Sequence, residues 1–302
     1  MKKVEIKGIV PPILTPMHED ESVNLQELRH QVNRLIDAGV HGIFPFGTNG
    51  EGYALTLAEK EEILSVVVEE TNHRVPVYAG SGCITTKETI EMSKKAEALG
   101  ADVLSVITPS FAAASQNELY SHYMELSEAV DLPIVLYNIP ARTGNALAPA
   151  TVAKLAKDAE NIVAVKDSSG NFDNMKQYIE LTSDLDKDFS VLSGNDSLIL
   201  PALVFGGKGG VAGCANVFPH TMVEIYEAFM AGDFERAKKA QDSIRIFRNC
   251  FKYGNPNTIV KIAAGLLGNP VGNCRKPFCT LTAEGMEQLK KTLELCKENG
   301  LH

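Results

Sequence analysis

The feature that most constrains this chain is a recurring unit of strand and helix close to thirty residues long. Short apolar runs rich in β-branched residues alternate with longer segments whose apolar residues recur three and four apart, the spacing of an amphipathic helix. The runs fall at residues 8–14, 42–46, 75–80, 102–107, 133–137, 161–166, 189–193 and 209–213, eight in all. Three of the intervening helices carry the same start signal. Thr56, Thr85 and Ser115 each stand three residues before a glutamate (Glu59, Glu88 and Glu118), and these starts lie 29 and 30 residues apart. In a capping box the hydroxyl and the carboxylate satisfy orphan backbone donors reciprocally.

Strands apolar on both faces and joined by helices imply a parallel sheet covered by helices. Eight such units close an α/β (β/α)8 TIM barrel. An open doubly wound sheet is the competing architecture, and it would show a G-x-G-x-x-G turn after its first strand. Pro16, Met17 and His18 stand there instead. The barrel is expected over residues 1–218 of the 302. Residues 219–302 read as the last barrel helix and a C-terminal helical extension of the same structural unit, with helices near 219–231, 234–252, 256–267 and 282–299.

Charge and composition narrow the partners. The chain has 29 basic and 38 acidic side chains, a net charge of −9, and no basic tract. Nucleic acid and anionic membranes need clustered Lys and Arg, so neither is an expected partner. No run approaches the roughly 20 apolar residues of a spanning helix. The N-terminus lacks an apolar h-region and a small-residue cleavage site, so no signal peptide is read and a cytoplasmic location is expected. Cys83, Cys214, Cys250, Cys274, Cys279 and Cys296 stand singly without a C-x-x-C and read as reduced structural thiols. The seven histidines show no H-E-x-x-H, and no metal site is expected. Small molecules and other subunits remain as partners.

In a barrel the chemistry sits where strands end. Lys166 ends the apolar run Ile162-Val163-Ala164-Val165, where a lone amine must find a partner, lose its proton or lie at the rim. Alternation sends Lys166 and Ser168 to one side and Asp167 to the other. Facing the lumen, a desolvated amine has the lowered pKa of a Schiff-base nucleophile. The alternative is a structural lysine paired with Asp167 or reaching solvent. Tyr137 ends the preceding strand, one repeat earlier, and a phenol there is placed either to shuttle protons or simply to cap the barrel core. Arg142, in the following loop, suits bidentate carboxylate binding or plain exposure. The Gly47-Thr48-Asn49-Gly50-Glu51 turn offers N–H groups and the Thr48 hydroxyl to a small carboxylate or oxyanion. Gly206-Gly207-Lys208-Gly209-Gly210 precedes the last strand, at the opposite face, and reads as a structural turn.

Four motifs in order, G-T-N-G-E at 47–51, Y-N-I-P with R-T-G at 137–144, V-K-D-S-S-G at 165–170 and L-S-G-N-D at 192–196, resemble the dihydrodipicolinate synthase / N-acetylneuraminate lyase family. The resemblance covers nearly the whole chain. It implies a (β/α)8 barrel with a C-terminal helical segment, a homotetramer or homodimer, and class I pyruvate chemistry without metal or external cofactor. Lys166 would form the imine, Tyr137 would transfer protons, and Thr48 with the backbone at Asn49 would relay protons and bind the pyruvate carboxylate. Gly194 and Val211 match strand-end positions lining the same pocket, and Arg142 matches the arginine that binds aspartate semialdehyde. The co-substrate is an aldehyde.

Three departures from the synthase pattern stand out. Asn49 replaces the second threonine of G-T-T-G-E. Phe111 stands where synthases place a tyrosine that reaches the neighbouring subunit's site. Gly254-Asn255-Pro256-Asn257-Thr258-Ile259 replaces E-P-N-P-I-P. Ser168 and Asp196 suit the hydroxyls of a 2-keto-3-deoxy sugar acid, so a sugar-acid aldolase or dehydratase, or an N-acetylneuraminate lyase-like enzyme, stands as the alternative to the synthase. A catalytically idle barrel used for ligand sensing is the non-enzymatic alternative.

Overall fold

A computed structural model of the chain describes residues 4–302. Seven strands, β1 (Gly8–Val10), β2 (Tyr78–Gly80), β3 (Val103–Ile107), β4 (Ile134–Asn138), β5 (Ile162–Asp167), β6 (Ser190–Ser193) and β7 (Gly209–Val211), form one sheet in the order β1-β7-β6-β5-β4-β3-β2. Each strand from β2 to β7 pairs in parallel with the next. The chain divides into two compact units, one of residues through Gly8 with Pro76–Val211 and one of Ile9–Val75 with Ala212–His302.

The first unit alternates strand and helix as the repeat requires. Helices Thr86–Ala98, Gln116–Ala129, Pro149–Asp158 and Phe172–Thr182 follow β2, β3, β4 and β5. The strands are buried on both faces, with Val103, Leu104, Val106, Ile134, Leu136, Ile162, Ala164 and Val165 out of contact with water, so a continuous apolar run is the expected sequence signature. The glycine run 206–210 is a structural turn. Gly207 N–H closes the helix Ile199–Val204 onto Ala202 O at 2.8 Å, and Gly8 N–H reaches Lys208 O at 2.8 Å. At Gly209 φ is +149°, and an added Cβ would lie 2.1 Å from Gly8 O.

The second unit holds helices Leu25–Asp37 and Leu57–Thr71 and, after β7, Pro219–Met230, Phe234–Arg248, Pro256–Leu266 and Ala283–Glu298. These last four match the expected C-terminal helices within a few residues, except that 249–253 continues as a 3-10 turn. The run 42–46 is not a regular strand. Its ladder to the first run consists of His41 N–H to Ile9 O at 2.8 Å, Phe44 N–H to Pro11 O at 3.1 Å and Ile13 N–H to Phe44 O at 3.1 Å. The pairing is parallel, but Pro11, Pro12 and Pro45 have no N–H to extend it. Of the three capping signals, Thr56/Glu59 and Ser115/Glu118 form full boxes. Thr85 accepts from Glu88 N–H, while the Glu88 carboxylate meets the Thr85 hydroxyl, which makes half a box. No helix among the described residues is long and apolar enough to cross a membrane.

Two glycine substitutions separate close approach from mere flexibility. Gly209→Ala drives a methyl into backbone in a positive-φ conformation and is expected to cost at least about 3 kcal/mol. Gly265→Ala, in the exposed turn of helix Pro256–Leu266 with nothing within 4 Å of an added Cβ, is expected to gain about 0.5–1 kcal/mol. Urea unfolding midpoints of the two variants should therefore move in opposite directions.

Candidate active site

Register on adjacent strands decides which strand-end side chains meet. Tyr137 on β4 is paired with Lys166 on β5, and Asn138 with Asp167, so alternation puts the first pair on one face and the second on the other. The Lys166 Nζ lies over the Tyr137 ring, 3.6 Å from its centroid, within cation–π range. Only 3% of Lys166 is exposed. Burial pushes its amine below the ordinary lysine value of 10.5, while Tyr137, by charge and hydrogen bond, and the Asp196 carboxylate oppose that shift.

Asp167 does not pair with Lys166. Its carboxylate accepts from Asn138 Nδ2 at 2.8 Å, Ser169 N–H at 3.1 Å and the Ser169 hydroxyl at 2.8 Å. Burial raises its pKa against those bonds. The structural reading of Lys166, as a lysine paired with Asp167 or reaching solvent, therefore fails on geometry.

Ser168 and Gly194 are packed together. Ser168 N–H donates to Asn138 O at 2.8 Å and Gly194 N–H to Asp167 O at 2.7 Å. An added Cβ at Gly194 would lie 1.9 Å from Ser168 Oγ, so the Ser168 hydroxyl occupies the space that glycine leaves. Asp196 is buried just beyond β6, and Val211 is buried at the end of β7.

Arg142 and Phe111 sit on loops and are exposed. Arg142 belongs to the single helical turn Pro140–Thr143. Phe111 is 98% exposed with φ +78°. Asn145 fixes the loop that bears Phe111, donating to Pro109 O at 2.9 Å and Ala112 O at 2.8 Å and accepting from Ala114 N–H at 2.8 Å. Neither Arg142 nor Phe111 contributes to the buried cluster around Lys166.

In the second unit the G-T-N-G-E turn is bent by Phe46 and Glu51, both at positive φ, +67° and +54°, a conformation that bulky residues adopt only when held there. One face of helix Pro256–Leu266 holds it. Asn257 Nδ2 donates to Thr48 O at 2.6 Å. One turn along, Lys261 Nζ pairs with Glu51 Oε1 at 2.6 Å, both side chains fully buried. Lys261 also donates to Asn273 O at 2.9 Å, and Arg275 N–H donates to Glu51 Oε2 at 2.8 Å. The Arg275 guanidinium meets Glu59 and holds that carboxyl down at about 2. Thr48 and Asn49 are half-buried on this turn.

Asn257, Lys261 and Arg275 were not expected as site-forming residues. A signal existed for Lys261: a lone lysine in the apolar helix T-I-V-K-I-A-A needs a buried partner for the same reason as Lys166. Among the described residues no three His, Cys, Asp or Glu side chains gather as a metal-holding group, and none of the six cysteines is in a disulfide.

A parallel β/α fold with C-terminal helices and a buried lysine at a strand end defines a (β/α)8-barrel lyase. The sequence profile of the dihydrodipicolinate synthetase family matches residues 5–296, and the chain belongs to that family. It is 41% identical over 292 residues to the 4-hydroxy-tetrahydrodipicolinate synthase of Methanopyrus kandleri, covering 96% of each chain. Its fold is similar to dihydrodipicolinate synthase from Thermotoga maritima, with TM-score 0.93 and 32% identity over 98% of this chain and 99% of that one. It is similar as well to YagE, a prophage protein of the same family from E. coli K12 whose crystal structure is a complex with pyruvate, with TM-score 0.93 and 30% identity over 97% and 99%. The barrel inferred from the repeat count is the fold of this family.

Lys261→Met leaves Glu51 buried and uncompensated, and unfolding experiments should show a loss of about 3–5 kcal/mol. The double variant Glu51→Gln/Lys261→Met removes both charges and should recover more than half of that loss.

Proposed function

We propose that this chain is a 4-hydroxy-tetrahydrodipicolinate synthase, condensing pyruvate with aspartate semialdehyde through an imine on Lys166. The observation that carries the reading is the buried Lys166 amine against the Tyr137 ring, with its pKa lowered by desolvation. A neutral amine is the nucleophilic form. Its lone pair attacks the keto carbon of pyruvate, and water leaves as the imine forms. Loss of a methyl proton then gives an enamine, whose carbon attacks the aldehyde carbon while the aldehyde oxygen takes a proton. Tyr137 is the proton carrier and Thr48 its relay partner. The imine is the electron sink, so the chemistry calls for neither metal nor external cofactor.

Asn49 N–H with Thr48 holds the pyruvate carboxylate, and Gly194 and Val211 line the keto-acid pocket. Arg142 receives the carboxylate of the aldehyde, and Phe111 stands at the family position that borders the substrate site. The domain reading proposed with this function is a barrel over 1–218 and helices over 219–302 forming one structural unit. Exposed Leu181, Val204 and Phe205 support a homo-oligomer, a tetramer or dimer, because apolar side chains on helix surfaces favour burial against another copy.

A second reading has one observation in its favour. Asp196 is buried within electrostatic reach of Lys166, and with Ser168 it offers hydroxyl-binding groups to a 2-keto-3-deoxy sugar acid, whereas Phe111 lacks the phenol of the synthase pattern.

Incubation with pyruvate and borohydride at neutral pH should add one reduced pyruvyl mass, and peptide mapping should place it on Lys166. No adduct, or an adduct elsewhere, rejects the imine reading. Turnover with aspartate semialdehyde exceeding that with sugar-derived aldehydes supports the synthase, and the reverse order supports the second reading.

A further inference from the structure

Two departures from the family's sequence pattern touch each other. Asn49 stands in place of the second threonine of G-T-T-G-E, and Asn257 falls at the second proline of E-P-N-P-I-P when that stretch is read against Gly254–Ile259. They are 208 positions apart, yet Asn49 Nδ2 donates to Asn257 Oδ1 at 3.3 Å. A proline has no side-chain donor or acceptor, so the synthase pattern has no equivalent of this bond.

Asn257 is built into the start of helix Pro256–Leu266. It is 3% exposed, and its own N–H is capped by the Asn255 carboxamide at 3.1 Å. Its backbone is therefore fixed before its side chain acts. The carboxamide then has one acceptor and two hydrogens in a buried place: Oδ1 accepts from Asn49, and Nδ2 donates to Thr48 O at 2.6 Å and to the Tyr53 hydroxyl at 3.4 Å. The larger Asn49 side chain is accommodated because position 213 is glycine. An added Cβ at Gly213 would lie 3.0 Å from Asn49 Oδ1.

The bond to Thr48 O has a consequence through the backbone. Thr48 C=O and Asn49 N–H belong to one planar trans peptide, so they point in opposite directions. Drawing the carbonyl onto Asn257 aims the Asn49 N–H away from helix Pro256–Leu266 and polarises it as a donor. That N–H is one of the groups proposed to hold the pyruvate carboxylate.

We infer that Asn257 is a positioning residue which, with Asn49, orients the Thr48–Asn49 peptide and so sets the affinity of the site for the carboxylate of its keto acid. This rests on the reading of Thr48 and Asn49 as the carboxylate-binding turn. Asn257 touches no reacting atom. Its influence passes through the peptide plane, so a change there appears mainly in substrate affinity.

The test is a double-mutant cycle on Asn49→Ala and Asn257→Ala, read as the pyruvate concentration for half-maximal borohydride trapping on Lys166 and as the KM for pyruvate and the kcat of its condensation with aspartate semialdehyde, with thermal midpoints to verify folding. Each single variant should raise the half-saturating pyruvate about 5- to 20-fold, with the larger part of the effect in KM rather than in kcat. The double variant should be no worse than about twice the weaker-binding single, because both remove one connected network. Asn257→Asp, isosteric with the parent, keeps an acceptor for Asn49 but sets a carboxylate against Thr48 O, and it should weaken pyruvate at least as much as the alanine. Multiplicative effects of the two alanines, a loss confined to kcat, or unchanged half-saturation in well-folded variants overturns the inference while leaving the imine on Lys166 intact. Absence of trapping in the parent protein instead rejects the Schiff-base reading and this inference with it.

Discussion

A lysine amine taken out of water at the end of an apolar strand is the constraint around which the first unit is arranged. With Ile162, Ala164 and Val165 buried beneath it, Lys166 has lost most of the water that stabilises its charge. What replaces it is the ring and the hydrogen bond of Tyr137 and the charge of Asp196, which oppose the effect of burial. The nearest acid in sequence, Asp167, is turned to the opposite face, where Asn138 and Ser169 satisfy it. The register Tyr137 to Lys166 produces both outcomes at once.

The second unit shows the contrasting use of the same side chain. Lys261 is as deeply buried as Lys166, but a carboxylate oxygen of Glu51 meets its Nζ at 2.6 Å and the Asn273 carbonyl completes the site. A buried pair of this kind is costly to break and adds little over an apolar substitute, so its value lies in geometry. It fixes a turn whose backbone carries two non-glycine residues at positive φ. One buried lysine is the proposed nucleophile, and the other anchors the turn proposed to bind the substrate.

Much of this was legible in the sequence because it is local or periodic. The strand–helix repeat, two of the three capping boxes and the four C-terminal helices follow from spacing alone, and Lys166 and Tyr137 stood out because the repeat places them side by side. What the sequence hid has physical causes. The run at 42–46 looks like a strand in hydropathy, but Pro11 and Pro12 opposite it cannot donate, so only a partial ladder forms. Glu88 completes half a box because its carboxylate meets the Thr85 hydroxyl rather than the Thr85 backbone N–H. The partners Glu51 with Lys261 and Asn49 with Asn257 lie more than 200 positions apart in the chain, and no period or motif connects such residues before folding does.

The central claim is that burial lowers the Lys166 amine below an ordinary lysine in spite of Tyr137 and Asp196. An NMR titration of the protein carrying 13C at lysine Cε, with Lys166 assigned through the Lys166→Met variant, measures it directly. The account predicts that Lys166 titrates below the 10.5 of an ordinary lysine, so that the amine is neutral over a pH range in which surface lysines are still charged. A Lys166 resonance titrating at or above 10.5 would show that Tyr137 and Asp196 outweigh burial, and it would contradict the account.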